Sequence, residues 1–449
     1  MGKEVDEVME GYKETEIGVL PEDWEVVRLE DVLSEIDIRV RDFNENNTES
    51  FPVLSLTKNE GLMLQSQRFE KRIAIEDLSA YKVVNYGQIV YNPYVIWEGA
   101  VHILWRYSSG IVSPVYPVWE TDPEKANAFY IDYLLRMPFI IVAYNRFASG
   151  AVNRRRSISK KDFKSIRIPL PPLPEQRKIA HVLSTIQRAI ELQDKIIAAA
   201  RELKKSLMRH LFTYGPVPED QIDRVPLKET EIGPVPEHWE VIRLAEVADV
   251  RGSTTSLAAV QKLRSSKGTD SIVLLYLKVS DFNLPGNELT INISQETTRL
   301  TNQDLTRIKT VPPLSIVFPK RGGAIGTNKK RLTKHHCLLD PNLLAVIPIK
   351  VNPLYLFYWF QDFDLLTIID KNPIPQLNKK DVAPIFIPIP PQDEQTEIAR
   401  MLHIIEQRIA TEEKRKSTLQ SLFQTMLHLL MTGKVRVKDL EVNVDAPGR

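Results

Sequence analysis

A chain of 449 residues with 43% hydrophobic and 26% charged residues has an ordinary globular composition, and its length sets an expectation of two or three domains. A single cysteine, Cys337, excludes an internal disulfide and fits a reducing cytoplasm. The net charge is +1, but residues 1–50 hold 16 acidic against 5 basic residues, so the remainder carries a mild basic excess, compatible with a polyanionic partner.

The opening "MGKEVDEVME" is acidic where a secretory signal would be basic and then apolar. The most apolar stretch, residues 353–369, is interrupted by Asp362 and Asp364, so no membrane span is expected and a cytoplasmic location is.

The first strong feature is a phrase spoken twice. "KETEIGVLPEDWEVVRL" (13–29) returns as "KETEIGPVPEHWEVIRL" (228–244), and residues 12–32 match 227–247 at 14 of 21 positions. Repetition of this kind marks a duplicated structural unit. Within the phrase, Gly18 and Pro21 punctuate a turn, and "WEVVRL" alternates as a short strand. "LEDVLSEI" (29–36) predicts the start of a helix, and Trp24 and Trp239 read as core anchors.

Residues 33–159 and 248–378 share far less with each other. Each is closed by a second repeat: "KKDFKSIRIPLPPLPEQRKIAHVLSTI" (160–186) is echoed by "KKDVAPIFIPIPPQDEQTEIARMLHII" (379–405). Here a strand is stopped by prolines, and a helix begins at Pro174 with Glu175 in its first turn, where proline and a carboxylate both suit a helix start. From there Ile179, Leu183, Ile186, Ile190, Gln193, Ile197, Ala200, Leu207 and Leu211 advance by threes and fours, with Lys204 the weak member. The second copy gives Ile398, Leu402, Ile405, Ile409, Glu412, Lys416, Leu419, Phe423, Met426 and Leu430. Such spacing is a coiled-coil seam, so the two helices, each about 57–60 Å long, are predicted to pair. The polar members Gln193, Glu412 and Lys416 would set register.

The resulting map is a first domain over 1–170, a long helix over 171–213 and a Pro-rich linker over 214–226. It continues with a second domain over 227–389, a second long helix over 390–431 and a tail over 432–449.

The order of an "ETEIG…PExWE" opening, a "PPxxEQxxIA" helix entry and long helices between unlike domains, met twice, resembles the specificity subunits of type I restriction-modification systems. The resemblance covers nearly the whole chain. It implies an α+β architecture: two α/β target-recognition domains held apart by two long helices paired as an antiparallel coiled coil, with a pseudo-two-fold axis. It implies double-stranded DNA and two methyltransferase subunits as partners, with two restriction subunits where the system also cleaves. S-adenosylmethionine, ATP and Mg2+ would belong to those partners, and none to this chain. Unlike halves imply a split, asymmetric DNA target, and the helices would act as a ruler for its unread spacer. Residues 87–116 and 315–332 resemble two different recurring types of recognition domain.

The candidate DNA contacts lie in the divergent segments and beside the closing repeat. "KRGGAIGTNKKRLTKHH" (320–336) concentrates six Lys/Arg within 320–334 and no acid. Lys320, Arg321, Gly323, Thr327, Asn328, Lys329, Lys330 and Arg331 are its candidate contacts, with the glycines admitting phosphate close to backbone N–H groups. A solvated charged hairpin is the competing reading. "SGAVNRRRSISKK" (149–161) offers Arg154, Arg155, Arg156, Lys160 and Lys161, of which the three arginines cannot all face one way on a strand. The matching place in the second half offers Gln376 and Asn378 as base readers and Lys379 as a phosphate contact. Asn92, Tyr94 and Trp97 occupy a break between strands, where groove contact competes with aromatic core packing.

Catalytic chemistry finds no footing. The glycine spacing matches neither GxxxxGK[ST] nor GxGxxG, "NPY" (92–94) lacks the second proline of an amino-methyltransferase motif, and "HHC" (335–337) has no spaced partner for zinc. A stand-alone DNA-binding regulator and an unrecognised nucleic-acid enzyme are the alternatives. The first would bind tightly without partners, and the second would turn over alone.

Overall fold

A computed structural model describes residues 10–438 except 44–50, 59, 69–76, 150–155, 254–255, 264–270, 302–307 and 370–374. The chain divides into two compact units, residues 1–194 with 415–449 and residues 195–414, and the division passes through the middle of both long helices.

Each unit begins with an antiparallel hairpin, Tyr12–Thr15 with Gly18–Pro21 in the first and Leu227–Thr230 with Gly233–Pro236 in the second. Gly18 and Gly233 turn it at φ +121° and +99°, conformations that a side chain would strain. The strand Glu25–Arg28 then pairs with Arg167–Leu170, as Glu240–Arg243 does with Phe386–Ile389.

The helix predicted from residue 29 is not formed. A single 3-10 turn, Leu29–Asp31, is closed by the Asp31 carboxylate accepting the Arg28 N–H at 2.8 Å, and Leu33–Ile36 is a strand. Val32 and Leu33 are both buried in succession and Leu33–Ile36 pairs with Val118–Thr121, so sheet pairing outweighed a weak local helix signal.

The divergent segments build one sheet plan. In the first unit Leu33–Ile36, Val118–Thr121, Ile89–Tyr91 and Val101–Ile103 lie side by side, all antiparallel. In the second, Ala248–Gly252, Leu343–Pro348, Ile316–Pro319 and Arg331–Thr333 follow the same order, and Thr290–Ile291 adds a fifth strand. The registers coincide, Ile89 opposite Ile103 and Ile316 opposite Leu332. The difference in type lies in what surrounds this sheet. The second unit carries an extra three-stranded sheet of Thr297–Thr301, Ser271–Leu277 and Cys337–Leu339, where the first has two small antiparallel pairs.

The repeated phrases are explained by buried hydrogen bonds. Trp24 Nε1 donates to Glu175 at 3.2 Å, and Trp239 Nε1 to Glu394 at 2.8 Å. The next residue, Gln176, accepts from the Asn127 N–H at 2.9 Å and donates to the Pro171 carbonyl at 2.8 Å, and Gln395 does the same with Asn352 and Pro390. Asn127 and Asn352 in turn cap the helices Ala128–Leu134 and Pro353–Asp362. The Glu-Gln pair is therefore a hub that satisfies polar groups which burial would otherwise leave unpaired.

The long helices, Leu173–Tyr214 and Gln392–Met431, pair in each unit with opposite directions. In the first unit Ile179 and Leu183 share a core with Phe423, Met426, Leu427 and Leu430. In the second, Met208 and Leu211 share one with Ile398 and Leu402. The predicted seam is the buried one: Ile190, Gln193 and Ile197 are buried on the first helix, Ile409 and Glu412 on the second. Lys416 reaches Asp194 and Lys204 reaches Glu406, so the polar seam positions carry charge pairs. No described helix is long and apolar enough to cross a membrane.

Candidate nucleic-acid interface

The structure brings the scattered candidates of each unit into one tip. In the second unit the segment 375–378 lies against 320–322: Leu377 N–H donates to the Lys320 carbonyl at 2.8 Å, Gly322 N–H to Pro375 at 2.8 Å, and Arg321 bridges Gln376. In the first, Ile158 N–H donates to the Pro93 carbonyl at 3.2 Å, which joins the 92–97 break to the segment before Lys160. These two bonds match, because Ile158 and Leu377 stand two residues before their "KKD" and because Ile89 and Ile316 start matched strands. Past each bond a short 3-10 turn buries one isoleucine, Ile96 or Ile325, and ends in a left-handed residue, Gly99 or Asn328.

Several of the candidate contacts have partners within the protein. Lys330 is 2% exposed, and its ammonium donates to the Phe363 carbonyl at 2.5 Å and to Asn328 Oδ1 at 2.9 Å. It thereby caps the end of helix Pro353–Asp362, and burial pushes its pKa down to about 7. Asn328 sits at φ +50°, donates to the Phe363 carbonyl at 3.2 Å and accepts from Leu365 N–H at 3.1 Å, so its amide braces the tip. Arg331 donates to the carbonyls of Asn287 and Lys330 at 2.8 and 2.9 Å, and Lys329 reaches Asn283. Thr327 bonds the Ala324 carbonyl at 2.7 Å.

Two of the lysines before the closing strand, though exposed, have acidic partners. Lys379 pairs with Asp249 at 3.0 Å and Lys160 with Glu35, so each lysine ties its closing repeat to the first strand of its sheet, the two acids standing one residue apart in register. In the first tip Asn92 accepts from Tyr94 N–H at 3.1 Å and donates to the Tyr116 hydroxyl at 3.3 Å. Trp97 is half-buried and lies under the Arg156 guanidinium at 5.2 Å, and Arg156 also donates to the Asn145 carbonyl at 3.0 Å. Arg154 and Arg155 lie outside the described residues.

What remains outward-facing is a short set. Tyr94 is 47% exposed, and Lys161 and Arg321 are exposed without a side-chain hydrogen bond or ion pair among the described residues. Gly323 and Gly326 face open space, where an added Cβ would meet nothing within 4 Å. Lys320 is half-buried, its ammonium beside Gly252, and burial together with the neighbouring Arg321 charge lowers its pKa. Gln376 donates to Asn378 Oδ1 at 3.2 Å, leaving its carbonyl oxygen as an acceptor.

Among the described residues no group of three or more His, Cys, Asp or Glu side chains is placed to hold a metal ion. Cys337 is buried, and burial pushes its thiol up to about 12.

The sequence reading missed the partners of these side chains. The Glu175–Gln176 and Glu394–Gln395 hubs had a signal in the sequence, since both pairs recur inside the repeat, but their indole and cap partners lie far along the chain.

The family model for the type I restriction modification DNA specificity domain matches the chain twice, over residues 21–202 and 236–421. The chain belongs to this family. Two curated relatives from Methanocaldococcus jannaschii align end to end. The putative type I restriction enzyme MjaX specificity subunit is 25% identical, with 96% of this chain and 97% of the relative covered. The MjaVIII specificity subunit is 26% identical with the same coverage. A crystal structure of a type I restriction-modification S subunit from M. genitalium shares the fold, with a TM-score of 0.57 at 13% identity, covering 91% of this chain and 96% of that one.

Proposed function

We propose that this chain is the non-catalytic, DNA-reading subunit of a type I restriction-modification complex, and that each unit reads one half of a split, asymmetric duplex target. One observation carries the reading: the frame repeats its strand pairing and its Trp–Glu and Gln–Asn bonds in both units, while the exposed tips mounted on it differ. Like frames with unlike tips suit two different half-sites, in the way that two-fold repressors suit two equal ones.

Double-stranded DNA and methyltransferase subunits are its partners in this reading, two of the latter per complex, with two restriction subunits where the system cleaves. The methyltransferases would seat on the long helices, whose outward apolar residues Leu192, Leu203, Ile404 and Leu422 are all exposed. S-adenosylmethionine, ATP and Mg2+ are assigned to those partners, and the target adenine is flipped into a methyltransferase pocket rather than into this chain.

The test is to co-express the chain with its methyltransferase partner and map modified adenines across a genome. A motif of two short specified blocks flanking an unread spacer is the expected result. A continuous motif, or no modification, overturns the reading.

A further inference from the structure

Resting on the reading above, we propose that the residue directly after the matched cross-tip bond is the base-reading position of each unit: Tyr94 in the first and Arg321 in the second. Arg321 then takes a guanine in the second half-site, and Tyr94 reads its base without a charge.

Backbone equivalence places the two residues. The matched strands Ile89–Tyr91 and Ile316–Pro319 run into the carbonyls of Pro93 and Lys320, which accept from Ile158 and Leu377. Tyr94 and Arg321 come next, and the buried Ile96 and Ile325 pin the turn that follows. Both positions are therefore held between a matched backbone bond and a turn pinned by a buried isoleucine, while their side chains remain exposed. A rigid backbone beneath a free side chain is what precise base contact requires.

The neighbouring cations narrow the choice. In the second tip Lys329, Lys330, Arg331 and Lys379 all have partners within the protein, whereas Arg321 has none among the described residues. A free guanidinium presents two parallel donors that match guanine O6 and N7 in the major groove. In the first tip the described guanidinium, Arg156, is held over Trp97 and on the Asn145 carbonyl, which leaves the exposed Tyr94 ring and hydroxyl. That group can stack on or hydrogen-bond a base edge, but it offers no fork for guanine.

A reciprocal swap in the assembled methyltransferase complex tests this, read by mapping modified adenines and by binding to duplexes varied one base pair at a time. Arg321→Tyr should lower the preference for guanine at one position of the second half-site by about ten- to a hundredfold and leave the first half unchanged. Tyr94→Arg should create a guanine preference at one position of the first half only. Arg321→Lys, which keeps the charge and donors for guanine O6 and N7 but lacks the planar fork, should retain overall binding with a weakened guanine preference.

Undiminished guanine preference in Arg321→Tyr would make Arg321 a phosphate contact and overturn the proposal, as would changes spread over both half-sites. If the unaltered complex modifies no split site, the functional reading fails. If it does and the swaps leave both half-site preferences as they were, only this inference fails.

Discussion

In the first unit the strand Val101–Ile103 returns beneath the tip with Val101 fully buried opposite Tyr91. At the register-matched place in the second unit stands Lys330, buried to the same degree. An aliphatic side chain there needs only neighbours. An ammonium needs acceptors, and it finds them in carbonyls at the end of helix Pro353–Asp362 and in Asn328. The frames differ in the same manner. Glu175 is 3% exposed and holds Arg436, which also takes Asp23 and keeps that carboxyl below its usual range. Its counterpart Glu394 has His238, 50% exposed, in place of that arginine. A duplicated fold thus keeps its backbone pairing and lets the polar inventory drift, provided each new charge brings its own partner.

Four measurements test how far the two units are equivalent. Removing the indole anchor, Trp24→Ala in one unit or Trp239→Ala in the other, should cost about 3–5 kcal/mol in denaturant unfolding. Clearly unequal costs would show that the two frames are not energetically equivalent.

Arg436→Ala should cost about 3 kcal/mol, because it strands the buried Glu175. His238→Ala should cost under about 1 kcal/mol, because that pair is open to water. Equal losses would deny the asymmetry.

Lys330 titrates near 7 when folded and near its ordinary value when unfolded. The unfolded chain therefore binds more protons between those values, and stability gains up to about 1.4 kcal/mol per pH unit as pH rises above 7. Measured against Lys330→Met, the burial penalty should shrink over pH 7–9. A pH-independent difference would show that the carbonyl acceptors hold the ammonium fully charged.

The smallest effect concerns the residue two before each matched strand. Gly87 has φ +86° and Leu314, at the equivalent place, φ +61°. Leu314→Gly should stabilise the second unit by about 0.5–1 kcal/mol in thermal unfolding, and Gly87→Leu should destabilise the first by a similar amount.

Much of the fold was legible in the sequence because it was written locally. The doubled phrase, the proline-stopped strand and the three-four seam from Ile179 to Leu211 each announce themselves within a few turns of chain. The segment after Leu29 misled because two adjacent apolar residues suit either a helix face or a doubly covered strand, and pairing with Val118–Thr121 decided it. The candidate segments were named from the sequence, but which of their basic residues have partners within the protein was not legible there.

Two framed units, paired long helices and divergent contents follow from repetition and periodicity along the chain. Which cations face outward was decided only by tertiary structure. Lys160 meets Glu35 across 125 positions and Lys379 meets Asp249 across 130, so a charge run cannot reveal whether its members are already paired. Free charge is a property of neighbours in space, and those neighbours are supplied by the sheet.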